Sequence, residues 1–114
     1  MQPIYVTLSS SATGNPTPWH LTNWQATPFD AAFAVIANSS TTYNIDLCYE
    51  DPTGVYPSPN SSAPTAFNLV SSGATSQVVV PSSFKPFAGY RYSLNVVSSV
   101  GGKVVFIYLQ AGVG

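Results

Sequence analysis

The last third of the chain, Tyr90 to Gln110, constrains the fold more than any other stretch. It reads as two runs rich in β-branched and aromatic residues, separated by Ser99-Val100-Gly101-Gly102-Lys103. The Gly pair supplies the positive φ angles that a tight reversal needs, so the two runs are expected to form a hairpin. In the first run Tyr92, Leu94 and Val96 fall on one face, and Arg91, Ser93 and Asn95 on the other. The second run, Val104 to Leu109, is apolar at every position, the pattern of a strand covered on both sides.

Earlier segments repeat this logic. Ile4, Val6 and Leu8 alternate with Tyr5, Thr7 and Ser9 as a first strand. Trp19 to Gln25 carries both tryptophans and reads as a short strand. Asp30 is placed where it could cap a helix, but Phe33, Val35 and Ile36 favour a buried strand through the apolar run Ala31 to Ala37. After the Asn38-Ser39-Ser40 turn, Thr42 to Glu50 alternates, with Tyr43, Ile45, Leu47 and Tyr49 inward and Asn44, Asp46, Cys48 and Glu50 outward. These two runs are expected to form a second hairpin. Ala66 to Val70 and Ser76 to Val80 are short strands, and the Ser82 to Gly89 loop, with Phe84 and Phe87, is expected to fold over one end of the core. Loops occupy Ser9 to Pro18 and Asp51 to Thr65, the latter holding four prolines and a glycine. Residues 1–114 thus form a single all-β domain, an antiparallel β-sandwich of about eight strands, jelly-roll-like, or a barrel. No repeat of solenoid period is present.

Charge narrows the function. Only 6% of the 114 residues are charged, against roughly a quarter in soluble proteins generally. A net charge of −1 favours association, so a surface of Ser, Thr, Asn and Gln suits a subunit packed against others. Lys85, Arg91 and Lys103 are the only basic side chains, too few for a nucleic-acid footprint. The longest apolar run is far too short to span a bilayer, and the N-terminus has neither a basic region nor a long apolar core, so no membrane role or secretory signal is expected. Without such a signal, the glycosylation triplets at Asn38 and Asn60 are incidental.

Candidate chemistry is sparse. His20 is the single histidine and no Gly-x-Ser-x-Gly elbow accompanies it, so a hydrolase is disfavoured and no catalytic residue is assigned. The one cysteine, Cys48, excludes an intrachain disulfide, and Asp46 and Glu50 on its face would raise a thiol pKa. One Cys and one His are too few for structural zinc. Asp46, Glu50 and Asp51 lack a calcium-loop signature, so neither metal nor cofactor is expected. Exposed aromatic residues on a neutral polar surface leave open a carbohydrate-binding or host-recognition module, although aromatics at alternating strand positions more often serve cores and interfaces.

Three stretches carry a resemblance: Trp24 to Val35, with Pro28-Phe29 ahead of an apolar strand; Thr41 to Asp51, ending in acidic residues; and Arg91 to Gly112. The last has the pattern Arg-x-x-Leu-Asn-Val-x-Ser, a Gly turn, then Val-x-Phe-x-Tyr-Leu-Gln-Ala-Gly. Together they resemble the small β-sandwich virion structural proteins of tailed bacteriophages, among them head-decoration, cement and fibre components. The resemblance implies a non-enzymatic protein made in the host cytoplasm and located in the virion. It further implies a homo-oligomer, commonly a trimer, bound to the major capsid protein or another virion protein. Loop tips are the natural contact arms, and Trp19, Trp24, Tyr56 and Phe87 are the expected interface residues.

Overall fold

In a computed structural model, residues 3–9, 17–24, 27–37, 41–50, 65–97 and 103–113 are described. Eight strands run in order: β1 (Ile4–Ser9), β2 (His20–Leu21), β3 (Thr27–Ala37), β4 (Thr41–Cys48), β5 (Phe67–Gly73), β6 (Gln77–Val79), β7 (Gly89–Val97) and β8 (Lys103–Val113). They form two four-stranded antiparallel sheets, ordered β1-β8-β3-β6 and β2-β7-β4-β5. This is the strand order of an eight-stranded jelly roll, so the all-β sandwich expected from the sequence is the observed fold.

Neither expected hairpin forms. β7 and β8 lie in opposite sheets, as do β3 and β4. β4 and β5 are the only consecutive strands of the eight that pair side by side. The reason lies in the side chains. Paired edge to edge, Tyr92 and Leu94 would share one sheet face with Val104 and Phe106 and leave that face bare. In opposite sheets the same residues cover each other. Tyr92 stacks on Phe106 with ring centroids 4.1 Å apart, and Tyr90 on Tyr108 at 4.3 Å. Phe33 of β3 fits among Tyr90, Tyr92 and Tyr108 at 5.1 to 6.2 Å. Leu8, Val35, Ile45, Leu47, Leu94 and Val104 complete the core.

Other differences are local. The tryptophan segment contributes only the two-residue β2. Tyr49 points outward at 47% exposed, because β4 stops at Cys48 and the chain bends. Cys48, expected on the polar face, is fully buried; the Ala88 N–H donates to its carbonyl at 2.8 Å, and its thiol donates to the Glu50 carbonyl. Asp46 is also buried, between Asn68 and Arg91. The apolar run of β8, expected to be covered on both sides, and that of β3, expected to be a buried strand, are each covered on one side. Phe33, Val35, Val104, Phe106 and Tyr108 are sealed inside, whereas Ile36 and Leu109 are about half exposed, at 54% and 47%. The Ser82–Gly89 loop closes one end of the core as expected, with Phe87 within the core and Phe84 packed against it.

The register between β4 and β5 slips twice, and Ser72 takes a left-handed φ of 56° in the irregular stretch. Its N–H donates to Asn44 Oδ1 at 2.7 Å, which holds the bulge to β4. Next to it, Gly73 lies against the Tyr43 ring: a Cβ there would sit 2.7 Å from ring atoms and 2.8 Å from Val70 Cγ1. The ring has no room to retreat, since Tyr43 is fully buried and its hydroxyl donates to the Thr75 carbonyl and accepts from Gln77 Nε2, both at 2.7 Å. Gly73→Ala should therefore destabilise the domain by about 1–3 kcal/mol through overpacking. Chemical denaturation checks this, and an unchanged midpoint would show the Tyr43 ring to be freer than its contacts imply.

Candidate interaction surfaces

The two sheets present outer faces of opposite character. On the second sheet the outward side chains form a hydrogen-bonded lattice. Asn44 and Asn95 exchange amide hydrogen bonds, 2.9 Å each way. Asp46 accepts from Asn68 Nδ2 and, at 3.1 Å, from Arg91 Nε. The Arg91 guanidinium in turn lies 4.6 Å from the Trp19 ring centre. Trp19, expected as a contact residue, is thus half-buried beneath a cation and belongs to this polar lattice.

Trp24 lies at one end of the sandwich. The segment leading to it is clamped: Thr22 N–H and hydroxyl donate to the carbonyls of Ala88 and Phe87, and Gln110 bonds the backbone of Asn23 at both N–H and carbonyl. Gln110 is itself buried and accepts from the Tyr108 hydroxyl at 2.8 Å. Trp24, Tyr49, Pro86, Phe87 and Ala88 line a cleft of about 350 Å³. Trp24 and Tyr49 are its exposed aromatic walls, at 36% and 47%. The Tyr49 hydroxyl donates to the Phe84 carbonyl and its ring packs edge-on against Phe67. Such rigid aromatic walls accept a flat apolar group or the face of a sugar ring.

Phe87 reaches this cleft only from below. It is 1% exposed and packs on Phe29, Phe33 and Tyr108, so it supports the wall instead of offering area to a partner. Tyr56 lies outside the described residues, as do Asp51 and most of the proline-rich loop. The structure therefore brings Trp24 and Phe87 together and puts Trp19 elsewhere.

One apolar surface was not among the sequence candidates. It is the outer face of the first sheet, where Val105, Ile107 and Leu109 of β8 stand beside Ala32, Ala34 and Ile36 of β3. Tyr5, Val78 and Val80 flank them at 65%, 69% and 61% exposed. A signal for it was present, because both parities of these two strands are apolar.

Among the described residues, no three His, Cys, Asp or Glu side chains gather as metal ligands. His20 stacks on Tyr90 at 5.1 Å and borders Tyr92 at 6.2 Å. Its Nε2 and the hydroxyls of Tyr90 and Tyr92 are buried without a hydrogen-bond partner among the described residues. Burial pushes three of the core tyrosines, Tyr90, Tyr92 and Tyr108, far above the ordinary phenol value, and raises Tyr49 as well. These are packing groups held neutral. Comparison with known proteins adds no relative: no family model, curated protein or solved structure matches the chain.

Burial holds His20 below its ordinary pKa of 6.5. The folded state then takes up a proton less readily than the unfolded chain. The stability tied to neutral His20 is complete above about pH 6.5 and is lost as pH falls towards its lowered folded-state value. The melting temperature should drop between neutral pH and about pH 5, and His20→Phe, which keeps a ring against Tyr90, should flatten that part of the profile. Parallel profiles for the two proteins would show that His20 does not control acid sensitivity.

Proposed function

We propose that this chain is a non-enzymatic virion structural protein of the head-decoration or cement kind, acting as a homo-oligomer that grips neighbouring subunits by apolar contact. The observation that carries this reading is the uncovered apolar face of the first sheet. A sheet of an isolated soluble domain normally turns polar side chains to water, whereas a contiguous apolar patch marks a surface that another protein covers. The scarcity of charge supports the same reading, as does the resemblance carried by the segments around Trp24, Thr41 and Arg91. The jelly-roll order is compatible with it, since viral capsid domains use this architecture. That support is fold-level analogy.

A second reading has its own observation. The cleft walled by Trp24 and Tyr49 suits a sugar ring, and jelly rolls also serve as lectins. On this reading the chain is a host-recognition module of a tail or fibre.

Co-sedimentation with phage capsids stripped of accessory proteins separates the two. The decoration reading predicts saturable binding that varies less than about threefold as salt rises from roughly 0.05 to 1 M, because apolar burial is not screened. Protein that remains in the supernatant, combined with glycan-array binding abolished by Trp24→Ala, would replace it with the recognition reading.

A further inference from the structure

We propose that the outer face of the first sheet is covered by a second copy of this chain, packed face to face about a two-fold axis parallel to the strands and midway between β8 and β3. The proposal rests on the reading of that face as a contact surface and names its occupant.

The side chains of the face are complementary to themselves. One row crosses the sheet in register as Tyr5, Ile107, Ala34 and Val78. In the neighbouring rows Leu109 stands beside Ala32 and Val105 beside Ile36. β8 therefore raises a ridge of three branched side chains, and the adjacent β3 holds a trough at Ala32 and Ala34. The midline between ridge and trough is also the middle of the four-stranded sheet. Half a turn about that line lays the β8 of one copy over the β3 of the other. Ile107 then meets Ala34, Leu109 meets Ala32 and Tyr5 meets Val78, each contact occurring twice. Large faces small at Ile107–Ala34 and Leu109–Ala32, the packing rule for apposed layers, while Val105 meets Ile36 and Tyr5 meets Val78 as apolar pairs without a small member. Self-complementarity is what an isologous interface requires.

Area and charge are consistent with a weak, reversible pairing. β8 and β3 over about seven residues, β1 over six and β6 over three, at about 3.4 Å rise and 4.8 Å spacing, give a face of roughly 370 Å² in plan. Two such faces bury roughly 750 Å² in plan, below the roughly 1,000 Å² of a stable interface, so the dimer is a reversible one. The charged side chains stand at the strand ends, with Asp30 bridged to Lys85 at 3.5 Å at one end and Lys103 at the other. The middle can thus be desolvated without burying an ion. Sheets stacked this way lie about 10 Å apart, the spacing at which inward side chains interdigitate. The pairing also supplies the second cover that the doubly apolar sequences of β3 and β8 call for.

Sedimentation equilibrium from about 1 to 200 µM tests the pairing. The intact chain should reach twice its 12.0 kDa mass with a micromolar dissociation constant. Ile107→Glu should weaken the dimer at least about 100-fold, because each copy would bury an unpaired charge. Val78→Glu, at a position 69% exposed and so harmless to the fold, should weaken it as well. Asn95→Glu, on the polar lattice of the opposite sheet, should leave it unchanged, and circular dichroism confirms that each variant folds. A monomer throughout the range, or a dimer indifferent to both face substitutions, overturns the proposal. A monomer that still binds stripped capsids through this face overturns the pairing alone. A face-dependent dimer that ignores capsids upholds the pairing and removes the decoration reading.

Discussion

Ring stacking across the sandwich is the interaction on which the rest of the structure depends. Tyr90, Tyr92, Phe106 and Tyr108 come from strands consecutive in the chain but opposed in space, and their rings meet face to face at 4.1 and 4.3 Å. Phe33 and Phe87 close the sides of that stack. Each aromatic pair contributes roughly 0.5–1.5 kcal/mol beyond the area it buries, so the cluster amounts to several kcal/mol. It also sets the topology. β7 and β8 must separate into different sheets for these rings to meet, and the crossing connections of a jelly roll follow from that separation.

Covering one face of each sheet leaves the other to be managed, and the two sheets do this differently. The β2-β7-β4-β5 sheet turns out amides, a carboxylate and a guanidinium that satisfy one another, so its surface is polar with very little net charge. The β1-β8-β3-β6 sheet turns out alanine, valine, isoleucine and leucine. A chain with 6% charged residues has few ions to place, and Asp46 and Arg91 are spent on the polar sheet. The apolar sheet is consequently where apolar burial can still proceed.

Legibility in the sequence followed the range of the interaction concerned. Period-two alternation identified β1, β4 and β7 and their inward residues, because it depends only on the pleat. The strands containing Ala31 to Ala37 and Val104 to Leu109 were found, yet their partners were misassigned. The Gly101-Gly102 pair is a local signal for reversal and carries no information about which sheet receives the next strand. Tyr49 was misplaced because alternation was extended past Cys48, where β4 ends. Cys48 was misplaced because alternation does not show the chain bending back beyond it, where its thiol meets the Glu50 carbonyl. Of the expected contact residues, Trp24 lines a cleft, Trp19 lies under Arg91 and Phe87 is interior. Residue type marks a large aromatic side chain as valuable to bury and says nothing about what buries it.

By itself the sequence determined that the chain is built of strands, which faces of β1 and β7 turn inward, and that β3 and β8 are apolar on both sides. These follow from side-chain period and composition, which are local properties. Only the tertiary structure decided the sheet each strand joins, and with it that the domain covers one side of those two strands and leaves the other in water. Strand partnership is settled by long-range packing of rings and branched side chains, and no short window of sequence contains both partners.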